Sequence, residues 1–328
     1  DKSAVVFDIT SLVTQDQKYF PLIGKSLGSY QVQSSLQSGL SYIREIKSFE
    51  DNVSIKIDRS YRITLNSSRG GKSPLKDYPV TLGATFTILR LPEEPMTPRL
   101  ADTRIGVFHI SKNAYDPESK LIEAVRFAKR WRLEPSDVAA YKAGQLVRPK
   151  KPIVFYVENT FPAVWKAAMK EGTLRWNKAF ESAGFKNVLE GLDYPKDKYF
   201  DPDNIEYNCI RYVPNTQADV TTSTWVDPRT GEITGATIAV FNNVETTLHK
   251  QRFVATAAAD PAVRSARLSD ELFFESLSAL VTQRLGKVLG LLPNYAASAA
   301  YTVDQLRSAS FTQANGLSAS VLDGAPYN

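Results

Sequence analysis

Val281-Thr282-Gln283-Arg284-Leu285-Gly286-Lys287-Val288-Leu289-Gly290-Leu291-Leu292-Pro293-Asn294-Tyr295-Ala296-Ala297-Ser298 is the stretch on which the fold is decided. Taken alone it reads as the end of an amphipathic helix and the loop after it. Leu277, Leu280, Val281, Leu285, Val288 and Leu289 recur at the three- and four-residue spacing of one buried helical side. Asp270, Glu271 and Glu275 come early and Arg284 and Lys287 late, which complements the helix dipole. The pattern predicts a helix over 269–290.

Working outward, residues from Pro152 alternate between strands and helices. Ile153–Val157 is a short apolar strand. Thr160 is predicted to cap a helix with Pro162 in its first turn. Phe161, Trp165, Ala168, Met169, Gly172, Trp176, Ala179, Phe180 and Ala183 form that helix's apolar stripe, which Gly184 ends. Ile210–Val213 and Ala236–Phe241 read as strands, Asp227-Pro228-Arg229-Thr230-Gly231 as a turn and 244–258 as a helix.

Residues 1 to about 110 are β-rich. Val53–Ile57 alternates, Tyr61–Leu65 continues extended, Ser67–Gly71 is a turn or flexible loop, and Val80–Leu91 returns as a strand. Leu91-Pro92-Glu93-Glu94-Pro95-Met96-Thr97-Pro98 is too rich in proline for a helix and reads as a connector. Arg104–Ile110 resumes strand character, and Trp131–Pro135 reads as a strand end or a loop. The expected fold class is α+β, divided near 150 into a β-rich N-terminal domain (1–150) and a second domain (151–328).

Composition excludes several functions. The 40 basic and 35 acidic residues are interspersed. Short basic runs such as Arg148/Lys150/Lys151 and Lys196/Lys198 lie beside turn residues and read as solvated surface, so nucleic acid is not an expected partner. No apolar run reaches the roughly 18 residues of a membrane helix. The chain starts at Asp1 without a methionine or a leader and is expected to be a processed or trimmed piece. Cys209 is the one cysteine, which rules out an internal disulfide and a thiolate metal cluster; in its apolar run it reads as a small buried residue rather than a nucleophile. His109 and His249 are the two histidines, whereas a catalytic zinc takes three protein ligands, most often histidine.

The frame around Gly286 resembles the helix of the metzincin-like zinc peptidases, His-Glu-x-x-His-x-x-Gly-x-x-His. It is most similar to large bacterial envelope proteins described as zinc-dependent metalloproteases. Gly286, Leu289, Gly290, Leu291 and Asn294 fit that frame, and Tyr295 replaces one aromatic residue with another. Gln283 and Lys287 stand where the first two histidines belong, Arg284 where the general-base glutamate belongs, and Pro293 where the third histidine belongs. Asn242 occupies a spot where relatives carry histidine. The resemblance extends along nearly the whole chain. It includes Leu91–Met96 with Pro98–Asp102, Arg130–Pro135, Lys151–Tyr156, Trp176–Phe180 with Ala183–Phe185, and Asp227–Ile233. Ala319–Asp323 is similar to the family's Met-turn, with Leu322 at the methionine and Gly324 at the following tyrosine.

The resemblance implies a mostly antiparallel N-terminal sheet domain followed by a metzincin-like (zincin) α/β unit with a mixed sheet and two main helices. It implies export to the cell envelope, as a periplasmic or surface-exposed lipoprotein, and a helical region beyond the Met-turn. The substitutions change the expected chemistry. Gln283 offers a weak neutral oxygen, Lys287 repels a divalent cation, Arg284 is no base near neutral pH, and Pro293 has no donor atom. No catalytic residue and no metal ligand is therefore expected, and zinc is predicted to be lost. The expected role is that of a pseudopeptidase that binds a protein or an extended peptide, or acts as a scaffold subunit in an outer-membrane complex. Thr237, Ile238, Ala239 and Val240 are predicted to form the exposed cleft-edge strand that such a peptide would join. The alternative is an active zinc-dependent metalloendopeptidase with a non-standard ligand set, although His109 and His249 match no ligand position and both read as structural. A third class, a different enzyme using Asp227, Glu232 or Glu275, competes with turn and helix-end roles for each of those carboxylates.

Overall fold

A computed structural model describes residues 6–67, 70, 72–214 and 219–324. Ser68, Arg69 and Gly71 of the expected loop lie outside the described residues. The chain divides into two compact units, Asp1–Arg90 and Leu91–Asn328.

The first unit carries a short helix, α1 (Thr10–Thr14), and the strands β1 (Ser26–Leu27), β2 (Tyr30–Leu36), β3 (Tyr42–Ser48), β4 (Asn52–Ser67) and β5 (Tyr78–Leu89). All pairings are antiparallel and centre on β4. One edge of β4 pairs with β5, and the other pairs first with β3 and then with β2. Alternation along β4 buries Ile55, Ile57, Tyr61 and Leu65 on one face. Arg59 shares that face and is fully buried. Its guanidinium donates to the Val13 carbonyl from Nε at 2.9 Å and stands 5.3 Å over the Phe86 ring.

The second unit opens with a two-stranded ribbon, β6 (His109–Asp116) and β7 (Leu121–Ala128), followed by α2 (Val138–Lys142). Its main elements are β8 (Ile153–Val157), α3 (Ala163–Leu174), α4 (Asn177–Glu181), β9 (Leu189–Asp193), β10 (Asn208–Val213), β11 (Val220–Val226), β12 (Ile233–Phe241), α5 (Val244–Thr256) and α6 (Asp270–Val288). Two short helices follow, α7 (Val303–Arg307) and α8 (Ala309–Asn315). The sheet order is β11-β12-β10-β8-β9. The last four strands in that order run parallel, and β11 is antiparallel to β12. Phe155, Val157, Ile210, Ile238 and Val240 meet Ala168 and Met169 of α3 and Leu277, Val281, Leu285 and Val288 of α6 in one core. The two helices approach closely at Gly172, where a Cβ would lie 2.6 Å from the Ser278 carbonyl oxygen. Among the described residues no helix is long and apolar enough to cross a membrane.

Three expectations are corrected. The division falls at Arg90/Leu91 rather than near 150. Residues 91–98 belong to the second unit because arginine side chains hold their carbonyls: Arg229 donates to Pro92 at 2.6 Å, Arg132 to Glu94 at 2.8 Å and Arg130 to Thr97 at 2.6 Å. Thr160 does not cap α3, since its hydroxyl donates to Glu158 Oε1 at 2.9 Å and Pro162 occupies the N-cap. Ala236–Phe241 is not an edge. Thr237, Ile238, Ala239 and Val240 pair with Ser223, Thr222, Thr221 and Val220 on one side and with Cys209, Ile210, Arg211 and Tyr212 on the other.

Candidate functional site

α6 starts at Ser269, whose hydroxyl accepts from the Leu272 N–H, and Asp270 and Glu271 occupy its first turn. Its last turn is closed without charged side chains. The carbonyls of Leu285, Gly286 and Lys287 accept from the N–H groups of Leu289, Leu291 and Gly290 at 2.8, 3.0 and 3.0 Å. The Val288 carbonyl accepts the indole N–H of Trp131 at 3.0 Å. Gly290 has φ +98°, and a Cβ there would run into the Lys129 carbonyl oxygen, so the exit from the helix requires glycine.

Beyond Gly290 the chain runs beside residues 106–108. Phe108 N–H donates to the Gly290 carbonyl at 2.8 Å and Leu292 N–H to Gly106 at 2.9 Å. Lys129 N–H donates to Phe108 at 2.7 Å, and on the other side of that segment Arg130 N–H donates to Gly231 at 3.0 Å. The turn at 227–231 is held by Asp227, a buried carboxylate that accepts from the Arg229 N–H at 2.8 Å and from its Nη2 at 2.7 Å. Glu232, also buried, takes a two-pronged ion pair from Arg132 at 2.8 and 2.7 Å. The phrases around 92, 130 and 229 thus come together as one clasp behind the end of α6.

The four motif positions fall at the open side of α6 and just past its end. Gln283, Arg284 and Lys287 are half-buried, and Pro293 is exposed. Gln283 and Lys287 are one turn apart and share a face. Arg284 donates from Nη2 to Asp219 Oδ1 at 2.8 Å, immediately before β11, and its Nε is buried without a partner among the described residues. Among the described residues the side chains of Gln283 and Lys287 make no hydrogen bond or ion pair. Leu322 and Trp176 sit over Gly286, where a Cβ would lie 2.8 Å from Trp176 Cζ2 and in collision with Leu322. Asn294 N–H donates to the Leu322 carbonyl at 3.2 Å. Asp323 accepts from Ser318 and Ser298 at 2.6 and 2.7 Å, and those bonds hold its carboxyl below the ordinary value.

The other candidates lie apart from these positions. His249 Nε2 lies 3.3 Å from the Val263 carbonyl oxygen, and His109 is exposed at the start of β6. Glu275 stands 3.8 Å from Arg252. Cys209 is buried, and burial pushes its thiol up to about 11. Among the described residues no three His, Cys, Asp or Glu side chains gather closely enough to hold a metal ion. An amide, a guanidinium, an ammonium and a proline ring stand at the motif positions, and a divalent cation does not fit that set. Sequence reading missed Asp219 and β11, whose outer edge has no sheet partner among the described residues.

The family described as Met-zincin matches residues 265–328. That match supports a metzincin-like relationship, and it covers α6, the loop through Pro293 and the turn at Leu322. Residues 1–136 match the family described as Domain of unknown function (DUF5117). No curated protein and no solved structure matches the chain. The protein therefore has an α+β fold with an antiparallel N-terminal sheet and a C-terminal Met-zincin-like domain.

Proposed function

We propose that this protein is a pseudopeptidase: a metallopeptidase-related fold that has lost zinc and catalysis and serves as a peptide- or protein-binding or scaffold subunit. The observation that carries this reading is Arg284. It stands where the resemblance places a general base, and its guanidinium is engaged with Asp219 at 2.8 Å. A permanently charged cation in that geometry neither takes a proton from water nor tolerates a divalent ion nearby. The degenerate Gln283, Lys287 and Pro293 support the same conclusion. The peptide-accepting edge in this reading is β11 rather than Thr237–Val240, because among the described residues β11 has a sheet partner on one side only. The resemblance to bacterial envelope proteins supports a periplasmic or surface lipoprotein, working within an outer-membrane assembly.

Metal content measured together with cleavage of casein tests the proposal. The expected result is substoichiometric zinc and no chelator-sensitive cleavage, compared with a variant carrying Gln283→His, Arg284→Glu, Lys287→His and Pro293→His. Stoichiometric zinc with chelator-sensitive proteolysis by the natural chain would overturn it.

A further inference from the structure

We infer that Lys287 and Gln283 form a carboxylate-binding site; this rests on the pseudopeptidase reading above. The inference begins with a leftover charge. Lys287 lies in the last turn of α6, where a cation ordinarily serves the exposed helix carbonyls. Here those carbonyls are taken: Leu285, Gly286 and Lys287 accept from backbone N–H groups and Val288 from the indole of Trp131. Lys287 is nevertheless half-buried, and among the described residues no acid or carbonyl meets its ammonium. A cation held partly out of water without a counter-charge is unfavourable, and an anionic ligand relieves that cost.

The surroundings define the ligand. Gln283, one turn earlier on the same face, adds an amide N–H₂ that has no partner among the described residues and lies beside Gly324, its Nε2 3.5 Å from where a Cβ on that glycine would stand. Arg284 contributes a second positive group, partly neutralised by Asp219. An ammonium and an amide donor one turn apart on the same helix face suit the two oxygens of a carboxylate. Asp219 precedes Val220 directly, so the ion pair ties the start of β11 to the turn of α6 that carries this donor pair. An extended peptide on β11 thereby places a carboxylate, either its C-terminal group or an acidic side chain near its end, at Lys287 and Gln283.

The test uses a fluorescein-labelled Val-Thr-Val-Thr-Val peptide in three forms: free acid, C-terminal amide, and an amide with glutamate at the fourth position. Anisotropy titrations of the full chain are expected to show the acid binding about tenfold tighter than the amide, as a charge-assisted contact provides. Lys287→Gln is expected to erase that preference and Lys287→Arg to keep most of it, with both variants melting near the natural protein. If the glutamate amide alone gains the advantage, the site reads a side-chain carboxylate. Equal binding of acid and both amides, no binding at all, or a preference that survives Lys287→Gln would overturn the inference. Mass spectrometry of the recovered probe separates the two readings: a cleaved peptide sinks the pseudopeptidase, whereas an intact peptide bound without carboxylate preference sinks only this site.

Discussion

Arg284 on α6 and Asp219 at the head of β11 hold each other at 2.8 Å, so the ionic contact ties the central helix to the outermost strand of the sheet. The arginine side chain is 21% exposed and the aspartate 56%, which limits the pair itself to roughly 1 kcal/mol. Arg284→Glu removes the pair and sets two carboxylates against each other. Its expected cost is about 1–2 kcal/mol in urea unfolding, more than that of Asp219→Asn. The charge-reversed pair Arg284→Glu with Asp219→Arg is expected to recover most of the loss. A single Arg284→Glu variant as stable as the parent would show that the contact does not hold strand and helix together.

Gly286 makes a second join, between α6 and the turn that carries Leu322. A methyl group at 286 would enter the space held by Leu322 and Trp176. Gly286→Ala is expected to cost about 1–3 kcal/mol by overpacking, and Leu322→Ala about 2–4 kcal/mol by leaving a cavity. Combined, the two changes should cost less than their sum by at least about 0.5 kcal/mol, since the smaller residue at 322 makes room for the added methyl. Strict additivity in a denaturant-based double-mutant cycle would mean that the two sites do not touch in solution.

The sequence makes legible whatever rests on apolar period and conceals whatever rests on polar backbone bonds. α6 emerges within two residues of its expected ends because a long periodic stripe and the acid-early, base-late charge order mark it, and α5 ends two residues short of 258. β11 is hidden because Val-Thr-Thr-Ser-Thr-Trp-Val buries few side chains deeply and carries little apolar alternation. β12 is apolar because both its faces are covered, and its expected edge position rests on the resemblance rather than on its own pattern. The boundary at 150 failed for a related reason. Residues 91–98 are held by arginine donors to backbone carbonyls, and each donor lies more than thirty positions away in the chain. The motif positions themselves are readable, but the partner of Arg284 is not, because Asp219 heads a strand with no clear apolar period.

Cys209 provides a check on the core of the parallel sheet. Its thiol is buried on β10 and raised to about 11, chiefly by desolvation, so little thiolate forms near neutral pH. The native chain is expected to leave a thiol reagent such as dithionitrobenzoate unreacted at about pH 8, and the unfolded chain to release one equivalent. Rapid reaction under native conditions would show that β10 opens readily or is not covered as described.

Asp227 ties the 227–231 turn to pH. Side-chain bonds from Arg229, with help from its backbone N–H, outweigh burial and hold this carboxyl below its ordinary value of 3.8. Because the folded value is the lower one, the stabilisation is complete above the ordinary value and drains away as pH falls through the folded one. Asp227→Asn keeps an oxygen for the Arg229 N–H but loses the charge, at an expected cost of about 1.5–3 kcal/mol near neutral pH. Urea unfolding of parent and variant should show a constant gap from about pH 5 to pH 8 that narrows below about pH 4. A gap that widens on acidification would mean that Asp227 is easier to protonate in the folded chain than in the unfolded one, contrary to the geometry of its arginine.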